Sequence, residues 1–110
     1  MIDHIVESSG NVFEDLGFQD SEQELLKARL TLEIHLRLAE RGLTQTGAAE
    51  LLGTTQPQVS ALMRLKSVSV SIGRLMEFLT ILGQDVEISV KPATNAKTGK
   101  MSFHSAAKAA

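Results

Sequence analysis

The spacing of apolar residues changes twice along this chain, and each change marks an element. Residues 1–19 show no sustained period. There Val12, Phe13, Leu16 and Phe18 fall within a polar stretch that reads as an arm with a short docking element. From Ser21 the pattern turns helical. Ser21-Glu22-Gln23-Glu24 sets a hydroxyl three residues before a carboxylate, the arrangement of a capping box. A long helix is expected to follow, to about Arg41, with Gly42 as its stop. It carries two apolar stripes, Leu25, Leu32, Leu36 and Ala39 on one side and Leu26, Leu30, Ile34 and Leu38 on the other. One stripe suffices for a core. The second predicts that the helix also meets its own arm or another subunit.

Three shorter helices are expected next. Thr44 is placed to cap one from about Gln45 to Leu52, although Gly47 inside it costs about 1 kcal/mol relative to Ala. Thr55 is placed to cap the next, about Gln56 to Leu65, where Pro57 is tolerable because first-turn amides have no intrahelical partner. Between them Gly53 stands where the turn needs a positive φ, and Ala49 where a larger side chain would push the helices apart. Leu52, Val59 and Leu62 supply the inner faces. After a loop, Ser71 caps a last helix from Ile72 to Leu82, whose Ile72, Leu75, Met76, Leu79 and Leu82 recur at helical spacing before Gly83.

The period then drops to two. Val86, Ile88 and Val90 alternate with Glu87, Ser89 and Lys91, and Pro92 ends the run, which predicts a half-buried strand. A lone strand leaves its backbone groups unpaired, and no second strand is evident. Pairing with the same strand of another copy is the cheapest resolution. Residues 93–110 are Ala, Lys, Ser, Thr and Gly with little to bury, which predicts disorder. The expected organisation is an arm over 1–20, a helical domain over 21–83, a dimerisation strand over 84–92 and a tail over 93–110.

Charge changes the picture. The chain has a net charge of −2, a poor balance for a partner rich in phosphate. Residues 1–24, however, hold seven acids and no Lys or Arg, whereas residues 25–110 hold eleven bases against six acids. An acidic arm is joined to a mildly basic remainder. With no Cys, disulfides and thiolate zinc sites are excluded, and His4, His35 and His104 lack metal-ligand spacing. No cofactor or metal is expected. Without Tyr or Trp, base stacking of single strands is disfavoured. No apolar run is long enough for a membrane span and the N-terminus lacks a secretory pattern, so a cytoplasmic location is expected. Glu14-Asp15 lies in the arm, where no enclosed site tunes a carboxyl. No catalytic constellation is found, and the chain is not expected to be an enzyme.

Two short helices joined by a tight turn at a steep angle form a helix-turn-helix, whose second helix enters a DNA major groove. Its outer face is expected to hold Gln56, Gln58, Ser60 and Ala61. Gln56 suits a bidentate contact with adenine, and Ala61 a thymine methyl. Gln58 has a competing use as partner of Thr55 in a capping box. Thr54, Thr55 and Ser60 are within reach of phosphates or bases, although Thr55 is first a cap. Arg64 and Lys66 would touch phosphates or simply complement the helix dipole.

From Gly42 to Pro92 the chain resembles the Xre/Cro/λ-repressor-like family. The matching residues are Leu43-Thr44-Gln45, Gly53-Thr54-Thr55-Gln56 and Val59-Ser60. Asn11-Val12-Phe13-Glu14-Asp15-Leu16-Gly17, Arg41-Gly42-Leu43-Thr44-Gln45 and Leu82-Gly83-Gln84-Asp85-Val86-Glu87-Ile88 resemble a bacterial subgroup, many of whose members act as HigA-type antitoxins beside RelE/HigB-like toxins. The resemblance implies an all-α, λ-repressor-like helix-turn-helix bundle with one C-terminal β-strand, paired across a homodimer on an inverted-repeat operator. It implies a phosphate contact at Gln45, opened by Thr44, and base contacts at Gln56, Gln58 and Ala61. Pro57 departs from the polar residue common there, and Gly47 from a helix former. A toxin partner would be met by Val12, Phe13, Glu14, Asp15, Leu16 and Phe18, apolar anchors within an acidic segment that suits a basic ribonuclease surface.

Overall fold

The structure, a computed structural model, describes residues 20–66, 69–94 and 97–105, with side chains from Glu22 onward. The expected docking element around Val12 to Phe18 lies outside the described residues. Four helices form among them: α1 (Asp20–Arg41), α2 (Gln45–Leu52), α3 (Gln56–Met63) and α4 (Ile72–Ile81). The first begins one residue before the expected cap, so Ser21 lies within its first turn.

The two stripes of α1 have different fates. Leu30, Ile34 and Leu38 are buried, and Leu26 packs at their edge. The other stripe faces outward, with Leu25 60% exposed, Leu32 42% and Leu36 41%. Thr31 is the one buried polar side chain among the described residues, and its hydroxyl donates to the Lys27 carbonyl at 2.8 Å. That local bond satisfies a group that would otherwise be costly to bury.

The buried stripe packs against α4 and α3, and α2 packs against α3 and α4. Ile72, Leu75, Phe78, Leu79 and Leu82 complete the core. Phe78 is fully buried, whereas Met76, expected inside, is only half-buried. The helical spacing that picks out Met76 leaves out Phe78; a residue two positions away on a helix lies on a different face, and the aromatic takes the inner one.

The expected strand does not form among the described residues. Residues 84–94 run without a ladder partner, because no second strand lies beside them among the described residues. Val86 is half-buried against the core, but Ile88 is 64% and Val90 75% exposed, so only the first member of the alternation finds cover among the described residues. The tail holds a different surprise. Phe103 returns to pack against the core, which the polar composition of residues 93–110 did not suggest.

Candidate nucleic-acid interface

The geometry of the α2–α3 pair follows from its caps. Thr44 Oγ1 accepts the Gly47 amide at 3.0 Å, and Thr55 Oγ1 accepts the Gln58 amide at 3.3 Å. Each satisfies a first-turn donor that the helix leaves unpaired. At the end of α2 the chain reverses through Gly53, whose φ is +70°. The Gly53 amide donates to Glu50 O and the Thr54 amide to Ala49 O, a double bond pattern that closes the helix and turns the chain sharply into α3. Ala48 and Ala49 are buried beneath this turn, where their small side chains let the two helices approach.

A side chain from outside the motif completes the turn. The Arg74 guanidinium, from the first turn of α4, donates to Gly53 O at 2.8 Å and to Leu52 O at 3.2 Å. It is held by Glu77 Oε1 at 2.8 Å and lies 4.7 Å from the centre of the Phe78 ring. Carbonyls at the C-terminus of α2 carry partial negative charge and lack helical donors, so a cation there is favourable. Arg74 was missed in the sequence. Its one signal is that a cation in a helix's first turn opposes that helix's own dipole and so needs another reason to be there.

On α3, Val59 and Leu62 point inward and are fully buried. Helical spacing then aligns Gln56, Ser60 and Arg64 as one outward row. Gln56 is exposed, and its amide makes no hydrogen bond among the described residues. Ser60 Oγ accepts two bonds from Arg64, at 2.6 Å from one terminal nitrogen and 3.2 Å from Nε. Ser60 thus orients a guanidinium through its oxygen and keeps its hydroxyl hydrogen as a donor. Gln58 is half-buried at the side of this row, and only its backbone joins Thr55. The reciprocal side-chain half of the expected capping box is not made. Ala61 is half-buried against the core, at the inner edge of the face expected to expose it. Thr44 and Gln45 are exposed at the start of α2, and Thr54 and Thr55 lie at the turn. Pro57 is exposed within the first turn of α3.

The second motif helix is shorter than expected, ending at Met63 instead of Leu65. Arg64 is its terminal cap, and Leu65 takes the left-handed conformation with φ +57°. The Leu65 and Lys66 amides donate to Leu62 O and Ala61 O, the same closing pattern as at Gly53. A leucine pays about 1–2 kcal/mol for a backbone that glycine adopts freely. Lys66 follows it, exposed, beside the C-terminal end of α3.

Among the described residues no cluster of His, Asp or Glu is arranged to hold a metal ion, and no helix is long and apolar enough to cross a membrane. The face is a surface of amides and hydroxyls around one projecting helix, with Arg64 held by Ser60 and Lys66 exposed beside it.

Comparisons with known proteins agree with this architecture. A family model described as a helix-turn-helix domain matches residues 12–91. A solved chain with a provisional assignment as an XRE family transcriptional regulator superposes with a TM-score of 0.72 at 35% sequence identity, and the match covers 80% of this chain and 100% of that one. No curated protein matches the chain in sequence. With most of its length inside the family model and a helix-turn-helix built as its caps and turn require, the chain belongs to the XRE-type helix-turn-helix family of DNA-binding regulators.

Proposed function

We propose that the protein is a sequence-specific repressor that binds an inverted-repeat operator as a homodimer, one α3 per major groove. The observation that carries this is the outward row of α3, in which the unengaged Gln56 amide stands in line with an Arg64 already oriented by Ser60. The amide suits adenine and the guanidinium a phosphate, so one helix supplies both readout and register. Gln45, Thr44, Thr54, Thr55 and Lys66 frame it as backbone contacts, with Gln58 at the side and Ala61 as at most a marginal apolar contact. Two-fold symmetry then sets the half-sites about one helical turn, roughly 34 Å, apart. Footprinting on the DNA upstream of the protein's own gene tests this; absence of protection below the concentrations of non-specific binding overturns it. Gln56→Ala is expected to cost about 1–3 kcal/mol of operator affinity and to relax one base position. Unchanged affinity would reduce the motif to a scaffold.

For the dimer, Val86, Ile88 and Val90 remain the proposed contact. Ile88 and Val90 project from a segment with unpaired backbone, the requirement for pairing with a second copy. Removing the whole C-terminus would also uncover the core beneath Val86 and Phe103, so point changes are the cleaner test. Ile88→Asp with Val90→Asp is expected to halve the sedimentation mass and weaken operator binding while leaving the helical signal intact. A dimer that survives both changes is held elsewhere.

A second reading rests on the composition of residues 1–24, seven acids and no bases around four apolar anchors. In it the protein is a HigA-type antitoxin whose arm covers the basic surface of a RelE/HigB-like ribonuclease, with DNA binding used for autoregulation. A chain beginning at Ser21 then still binds operator but no longer restrains the toxin. A short basic reading frame beside the gene is the expected companion.

A further inference from the structure

A groove of about 340 Å³ runs between the N-terminal half of α1 and the end of α3, and Lys66 at its edge is the one residue it shares with the proposed DNA face. Ala28, Thr31 and Leu32 line one side and Leu65 the other, with Lys27 and Lys66 along it and Glu24 as its single acid. Leu32 belongs to the outward stripe of α1 and is 42% exposed; Leu65 is 51% exposed. Leu65 also holds the left-handed backbone at φ +57°, although no contact of the closing turn requires a side chain there. A strained, exposed leucine facing an exposed leucine across a groove marks an apolar surface built to be covered.

We propose that the occupant is the acidic N-terminal arm of the same chain, docked through Val12, Phe13, Leu16 and Phe18. Charge selects it. Residues 1–19 contain Asp3, Glu7, Glu14 and Asp15 and no Lys or Arg, whereas the groove presents two lysines against one acid. A second copy of the groove would bring the same lysines to face themselves. Chain length permits it as well. The groove starts at Glu24, about one turn from the point where the arm enters α1, and Glu24 to Leu32 spans about 12 Å of helix. Residues 12–18 in extended form cover about 23 Å, enough to fold back along that length. The arm's apolar residues then meet Leu32 and Leu65 while Glu14 and Asp15 lie near Lys27 and Lys66. A protein partner that takes the arm has to displace it from this groove first.

The chain contains no cysteine, so one introduced thiol reports without background. A nitroxide on Arg29→Cys, an exposed position on the helix that forms one wall of the groove, is expected to weaken the amide NMR signals of residues 12–18 several-fold relative to the reduced label. Full-intensity arm signals overturn the proposal. So does broadening seen only when spin-labelled chains are mixed with isotope-labelled, nitroxide-free ones, which assigns the groove to a second copy. Leu65→Gly relieves the backbone and removes the apolar contact, and is expected to restore the arm signals; broadening that persists unchanged places the arm elsewhere on α1 and overturns the groove as its seat. Operator binding is read separately, and none of these outcomes depends on it.

Discussion

Phe78→Ala is expected to lower folding stability by about 3–5 kcal/mol, measured by urea or thermal denaturation. The ring has no solvent exposure and sits on α4 among Leu75, Leu79 and the buried stripe of α1. Removing it deletes a large apolar surface and leaves a cavity that three helices must collapse together to fill. Domains of this size hold about 5–15 kcal/mol in total, so the variant stands near the edge of folding at 25 °C. At roughly 4–8 °C per kcal/mol the melting point falls by well over 10 °C. Met76→Ala, four residues from Thr80 on the half-buried side of the same helix, is expected to cost much less. A Phe78→Ala loss no greater than that of Met76→Ala would mean that the core is centred elsewhere.

The second large effect concerns the turn. Arg74→Met keeps the aliphatic stem but removes the donors to Gly53 O and Leu52 O. Bonds from a charged donor contribute about 1.5–3 kcal/mol when sheltered, but this side chain is 35% exposed and water replaces part of the loss. A stability cost of about 1–2 kcal/mol is expected. Operator affinity is expected to fall by tenfold or more, because Arg74 is the side chain that ties the α2–α3 turn to α4 and so fixes the angle at which α3 projects. Arg74→Lys rescues only in part, since a single ammonium has to replace both the nitrogen that reaches the two carbonyls and the one that holds Glu77. Glu77→Gln serves as control. Its ion pair with Arg74 is largely exposed and contributes less than about 1 kcal/mol. Wild-type affinity in Arg74→Met would show that helix packing alone holds the turn.

These two residues show where sequence reading stops. The caps Thr44, Thr55 and Ser71, the left-handed Gly53 and the inward Val59 and Leu62 were all legible. Each depends on neighbours within four residues along the chain. The belt of Leu30, Ile34 and Leu38 was legible too, but not that it would be preferred to Leu25, Leu32 and Leu36. Both stripes have helical spacing and similar apolar content. Only the positions of α3 and α4 distinguish them. Ala61 is expected to face outward and instead packs at the edge of the core, because an eight-residue helix has too few turns for its apolar pattern to define the face sharply.

The C-terminal segment shows the opposite case. Alternation at Val86, Ile88 and Val90 is a strand signal, yet a strand is a relation between two backbones, and no second one lies alongside among the described residues. Phe103 had no local signal at all. It sits alone in a polar tail, and it packs against the core because the fold brings the tail past an apolar surface.

Local chemistry along the chain therefore specified the four helices, the capped starts of the last three, the reversal at Gly53 and the family to which they belong. Contacts between residues far apart decided the rest. Arg74 reaches back more than twenty positions to close the turn, α1 hides one stripe and exposes the other, and Leu65 is set against Leu32 across an open groove. The division has a physical cause. Capping bonds and glycine turns are satisfied within a few residues, so their donors and acceptors can be read in order. Burial and long-range hydrogen bonds depend on which surfaces meet, and that is defined only once the helices have packed.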